Sequence, residues 1–88
     1  MGAREYPPLT PSEVVGILNA LQFKFKRQAG SHAHYERLPD EELDERKIVT
    51  VDMTHSQFSV RMIKSMISQS GFKRHEFYKA TKGTAKKI

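Results

Sequence analysis

Two short alternating runs meet at Gly30-Ser31, and this junction does most to limit the folds open to the chain. Phe23-Lys24-Phe25-Lys26-Arg27 alternates with period two, which predicts a strand with Phe23 and Phe25 inward. Gly30-Ser31 supplies the turn, and residues 32–38 predict a second strand. There Ala33 and Tyr35 suit the core face, while His32, His34 and Glu36 share the opposite one. Strands joined by so short a turn run antiparallel. Lys24, Lys26, His32 and His34 are therefore expected on one open sheet face.

The flanking segments supply a third strand and the helices. Thr10 is an N-cap, Pro11 takes the first helical position, and Glu13 completes a capping box. Leu9 and Val14 suit a hydrophobic staple. Val14, Ile17, Leu18 and Leu21 then form one stripe of a helix over 11–21, which Gly16 weakens by about 1 kcal/mol relative to Ala. Lys47-Ile48-Val49-Thr50-Val51 is dense in β-branched residues and predicts a strand with Val49, Val51 and Met53 facing the core. Ser59 is the expected N-cap of a second helix with Val60, Ile63, Met66 and Ile67 as its stripe and Gly71 just past its end. Residues 73–81 read as a short third helix anchored by Phe77.

Three antiparallel strands with helices on one face make a two-layer α+β domain in the order α-β-β-β-α. That is the arrangement of double-stranded-RNA-binding domains. The expected organisation is a single domain over 1–81, carrying an acidic hairpin loop at 39–46, followed by a flexible basic tail at 82–88.

At 88 residues the core is modest, and the chain has no cysteine for a disulfide framework or a thiolate metal site. The absence of cysteine fits a reducing, cytoplasmic setting. No apolar run is long enough for a membrane span, and the first eight residues lack the apolar stretch of a secretory signal. The net charge is +5, yet five of the ten acids fall between Asp40 and Glu45. Outside that segment fifteen Lys and Arg face five acids, which makes a nucleic-acid surface plausible.

Four features together resemble the HicA (YcfA-like) toxins: the opening Leu9-Thr10-Pro11-Ser12-Glu13-Val14-Val15, Phe23 entering a strand, Arg27-Gln28-Ala29-Gly30-Ser31-His32, and the strand-to-helix run 48–71 with its Phe-bearing turn at 72–77. The resemblance implies an mRNA interferase of double-stranded-RNA-binding-like fold, held inactive by a HicB-type antitoxin, with its catalytic histidine at His32. Two features depart from the family pattern. The family's frequent Val-Pro-x-His is here Val51-Asp52-Met53-Thr54-His55, and the acidic loop 40–45 is longer than the usual hairpin. These leave the role of His55 open.

RNA carries its own nucleophile, the 2′-hydroxyl, so a ribonuclease needs only proton transfer and positive charge. Imidazole titrates near neutral pH and suits the first task. The expected site has His32 as general base or acid on single-stranded RNA. His34 is either a helper or a solvated strand residue. Lys24, Lys26, Arg27, Gln28, Ser31 and Lys64 are the expected RNA contacts. Arg61, Lys73 and Arg74 are either phosphate contacts or the ordinary polar side of their helices. No metal or cofactor is required, although His32 and His34 with His55 or Glu36 contain enough ligand atoms for one ion. The alternatives to an enzyme are an RNA-binding module that does not cut, and a protein whose open sheet face pairs with another chain.

Overall fold

The capping box at Thr10 sets the first helix. In the computed structural model, which describes residues 6–41 and 45–87 with side chains through Ala80, Thr10 Oγ1 accepts the Glu13 N–H at 3.2 Å and Glu13 Oε1 accepts the Thr10 N–H at 2.8 Å. Helix α1 (Pro11–Ala20) follows and buries Val14, Ile17 and Leu18. It closes with the Phe23 N–H on the Leu18 carbonyl at 2.8 Å and the Gln22 N–H on the Asn19 carbonyl at 3.0 Å. This is a Schellman closure, with Gln22 taking the left-handed position at φ 72°. It swings Phe23 directly into the core, where it is fully buried.

Phe23 therefore precedes the first strand instead of lying in it. Strands β1 (Lys24–Ala29), β2 (His32–Arg37) and β3 (Lys47–Asp52) form one antiparallel sheet in the order β1-β2-β3. Gly30 has φ 60° and Ser31 does not share the positive φ, which is the type II′ hairpin pattern. Ala33, Tyr35, Val49 and Val51 fill the core face of the sheet. Two expected core residues are corrected. Phe25 is 56% exposed, because β1 is the outermost strand and all its residues are exposed; its ring meets Tyr35 edge-on at 5.7 Å. Met53 lies beyond the end of β3 and is also exposed, because the Asp52 carboxylate captures the Thr54 N–H and turns the chain.

Helix α2 (Val60–Ser70) starts at Ser59, whose Oγ accepts the Met62 N–H at 3.3 Å, and stops at Gly71, which has φ 81°. Ile63, Met66 and Ile67 are buried, while Val60 at its first turn is exposed. Helix α3 (Arg74–Lys87) outruns the expected 73–81, so the backbone of 82–87, read above as a tail, is helical; Ala and Lys are good helix formers and outweigh Gly83. Phe77 anchors α3 in the core, and the Tyr78 hydroxyl donates to the Pro7 carbonyl at 2.8 Å. Burial pushes that hydroxyl up to about 12, so it remains a donor. The lead-in is pinned a second time, by an antiparallel bridge between Leu9 and Phe58.

The acidic loop 39–46 falls partly outside the described residues, at 42–44, as does Ile88 of the expected tail. Its visible start is structural: Arg37 is buried, donates to Asp40 Oδ2 at 2.6 Å and lies 5.1 Å from the Phe72 ring centroid. Among the described residues, no helix is long and apolar enough to cross a membrane.

Candidate active site

The face of the sheet away from the core carries His32, His34 and Glu36 on β2, opposite Asp52, Thr50 and Ile48 on β3. Helix α2 packs against β3 at the sheet's other edge, and Gln69 Oε1 accepts the Thr50 N–H at 3.0 Å. Between that helix and the open face runs a cleft of about 390 Å³. His32, Thr50 and Asp52 line it from the sheet, and Phe58, Arg61, Ser65 and Gln69 line it from the loop and helix.

Asp52 is the centre of the site. Its Oδ1 accepts both the Thr54 hydroxyl, at 2.7 Å, and the Thr54 N–H, at 3.1 Å. Its Oδ2 lies 3.7 Å from His32 Nε2 and 3.4 Å from His55 Nε2. The two Thr54 hydrogen bonds hold the carboxyl below its ordinary value, and the nearby His55 and His32 act in the same direction. A neutral-pH carboxylate is thereby fixed between two imidazoles. His55 is seated from its other side by the Phe58 ring, with centroids 5.7 Å apart. Both Nε2–Oδ2 separations exceed a hydrogen bond, so the rings remain able to turn toward a ligand.

The expected site residues divide. His32 lies in the cleft, at the hairpin end of β2. His34 points along the same face, but its Nδ1 lies 3.0 Å from the Thr50 hydroxyl. The basic residues of β1 are arranged differently from a strictly alternating strand. A bulge between Phe25 and Arg27 pairs Arg27 with His34, so Arg27 joins the histidine face. Lys24 pairs with Glu36, four residues from His32 or about 13 Å along the strand, so it does not stand beside that imidazole. Lys26 reaches Glu36 at 3.6 Å, and Arg46 meets the same carboxylate at 3.1 Å. Gln28 donates to the Gly30 carbonyl at 2.9 Å, inside the hairpin. Ser31 accepts the Met53 N–H on its carbonyl at 2.8 Å, tying the hairpin to the loop after β3. Lys64 leaves the cleft altogether, with its ammonium 5.2 Å from the Tyr6 ring centroid.

Sequence reasoning passes over Asp52 and leaves Arg61 open between a phosphate contact and an ordinary polar helix residue; the cleft receives it. The available signal for Asp52 was Asp52-Met53-Thr54, an Asx-turn pattern closing a strand. Its approach to His32 depends on cross-strand register, which no local pattern encodes. Among the described residues, no three His, Cys, Asp or Glu side chains are placed to hold a metal ion together, and His34 turns to Thr50.

A three-stranded antiparallel sheet, helices on one face and a histidine–carboxylate cleft define a small α+β domain of the double-stranded-RNA-binding-like class. The family model described as "HicA toxin of bacterial toxin-antitoxin" matches residues 11–72. That match spans most of the chain, which therefore belongs to the HicA toxin family. Comparison with curated proteins finds no match.

Proposed function

We propose that this HicA-family toxin is an endoribonuclease that cuts single-stranded mRNA, with His32 as an acid–base group, and that a HicB-type antitoxin holds it inactive in the cytoplasm. The observation that supports this reading is His32 beside the Asp52 carboxylate in a cleft that also receives Arg61. The 2′-hydroxyl attacks the adjacent phosphorus, His32 exchanges a proton with the reacting oxygens, and Arg61 stabilises the charge that builds on the phosphorane. The product is a 2′,3′-cyclic phosphate and a 5′-hydroxyl. No step requires a metal ion or cofactor. The RNA backbone then continues over the open face toward Arg27 and Lys24, within one functional domain over 1–81.

The test is cleavage of single-stranded RNA in EDTA by the wild type and by His32→Ala. Loss of about 10²–10⁴-fold in the variant, with cyclic-phosphate ends from the wild type, is expected. Equal cleavage by both removes His32 from the reaction. Tight, salt-dependent binding without cleavage by the wild type makes the protein an RNA-binding module instead.

A further inference from the structure

Cleavage by 2′-hydroxyl attack moves two protons, one from the attacking oxygen and one to the leaving oxygen. These oxygens lie on opposite sides of one phosphorus, so the accepting and donating groups must flank a single phosphate. Of the four histidines, His34 is occupied with Thr50 and His75 lies on α3. His55 and His32 approach the same carboxylate oxygen, so their Nε2 atoms are no further apart than 3.4 Å and 3.7 Å taken end to end. The loop bearing His55 is anchored three times. Thr54 donates twice to Asp52, the Met53 N–H is bonded to the hairpin carbonyl of Ser31, and Phe58 forms the bridge to Leu9. The two Thr54 bonds go to Oδ1, which leaves Oδ2 to the imidazoles.

We propose that His55, beside Asp52, is the second proton-transfer residue, donating to the leaving 5′-oxygen while His32 accepts from the 2′-hydroxyl, with Asp52 positioning both rings on one phosphate. This rests on the ribonuclease reading above. The steps balance without a co-reactant. The 2′-oxygen bonds to phosphorus as its proton passes to neutral His32, and the phosphorus–5′-oxygen bond breaks as protonated His55 gives up its proton. His32 leaves the step protonated and His55 neutral, and exchange with water resets them. With His32 taken as the acceptor, the donor role falls to His55, the other imidazole at Asp52 Oδ2.

The experiment compares the wild type, His32→Ala, His55→Ala and Asp52→Asn on an RNA containing one linkage the wild type cuts, made with either the natural 5′-oxygen or a 5′-sulfur. A thiolate leaves without a donated proton, because thiols ionise near neutral pH. His55→Ala is expected to lose about 10²-fold or more on the oxygen linkage and to return to near wild-type rates on the sulfur linkage. His32→Ala is expected to be slow on both. Asp52→Asn is expected to lower kcat on the oxygen linkage at unchanged KM. Wild-type rates for His55→Ala on the oxygen linkage, or equal losses on both linkages, overturn the donor role while leaving the ribonuclease reading intact. A raised KM with unchanged kcat for Asp52→Asn overturns its positioning role. Wild-type cleavage by His32→Ala, or no cleavage by the wild type, overturns the ribonuclease reading and the pairing with it.

Discussion

Asp52 accepts two hydrogen bonds from its own turn and stands between two imidazoles. Asp52 is held ionised chiefly by the Thr54 hydroxyl and N–H, with His55 and His32 adding to the effect. A carboxyl whose folded pKa is lowered below its ordinary 3.8 binds protons more weakly in the folded chain than in the unfolded one. Its contribution to stability is therefore complete above the unfolded value and is lost as pH falls through the folded one. The expected outcome is that wild type melts higher than Asp52→Asn at neutral pH, and that this gap closes as the pH falls below 3.8 toward strong acid. Thermal unfolding of both proteins across that range checks it. A gap that stays constant down to acid pH would mean that the turn does not depend on the carboxylate's charge.

At the scale of elements, the helix ends carry the clearest physical signatures, and one is built from an unfavourable residue. The junction between α1 and β1 needs a left-handed residue, and Gln22 occupies it at φ 72°. The left-handed region costs a residue with a Cβ about 1–2 kcal/mol, a cost Gly avoids at the expense of a more flexible unfolded chain. Gln22→Gly is therefore expected to stabilise the fold by about 0.5–1 kcal/mol, or about 3–6 °C in Tm, as read by calorimetry. A lower Tm would show that the Gln22 side chain contributes more than its backbone strain costs. Caps of this kind explain which parts of the fold could be read from sequence. Thr10 with Glu13, Ser59 with Met62, and Gly71 act over three or four residues, and the Gly30-Ser31 turn is equally local, so helix starts, the hairpin and the three-strand order were legible. The bulge near Lys26 was not, because alternating Lys and Phe give no sign of an extra residue, and it exchanges which cation faces His34. Burial of Phe25 also failed as an expectation, since strand periodicity identifies a face without showing that β1 would be an edge strand. In the site, family resemblance singled out His32. The approach of Asp52 follows from a cross-strand pairing twenty residues away, and that of Arg61 from how α2 leans on β3.

For the molecule as a whole, part of the basic surface is spent internally, on the helix side and on the open sheet face alike. The chain carries +5, but Lys64 and Arg74 lie over the Tyr6 ring, and Lys26 and Arg46 share Glu36. Arg61 in the cleft and Arg27 on the open face are the cations best placed for a phosphate chain. Binding of single-stranded RNA releases counterions, so log affinity falls linearly with log salt, by about 0.7 for each phosphate neutralised. The measurement uses His32→Ala as the background, so that bound RNA stays intact while its affinity is titrated over a series of salt concentrations. Adding Arg61→Ala is expected to reduce the magnitude of the slope by about 0.7, because one phosphate contact is lost. Adding Lys64→Ala is expected to leave the slope unchanged, because that ammonium rests on Tyr6 away from the cleft. The reverse pattern, with Lys64 changing the slope and Arg61 silent, would move the RNA path off the cleft and onto the outer side of α2.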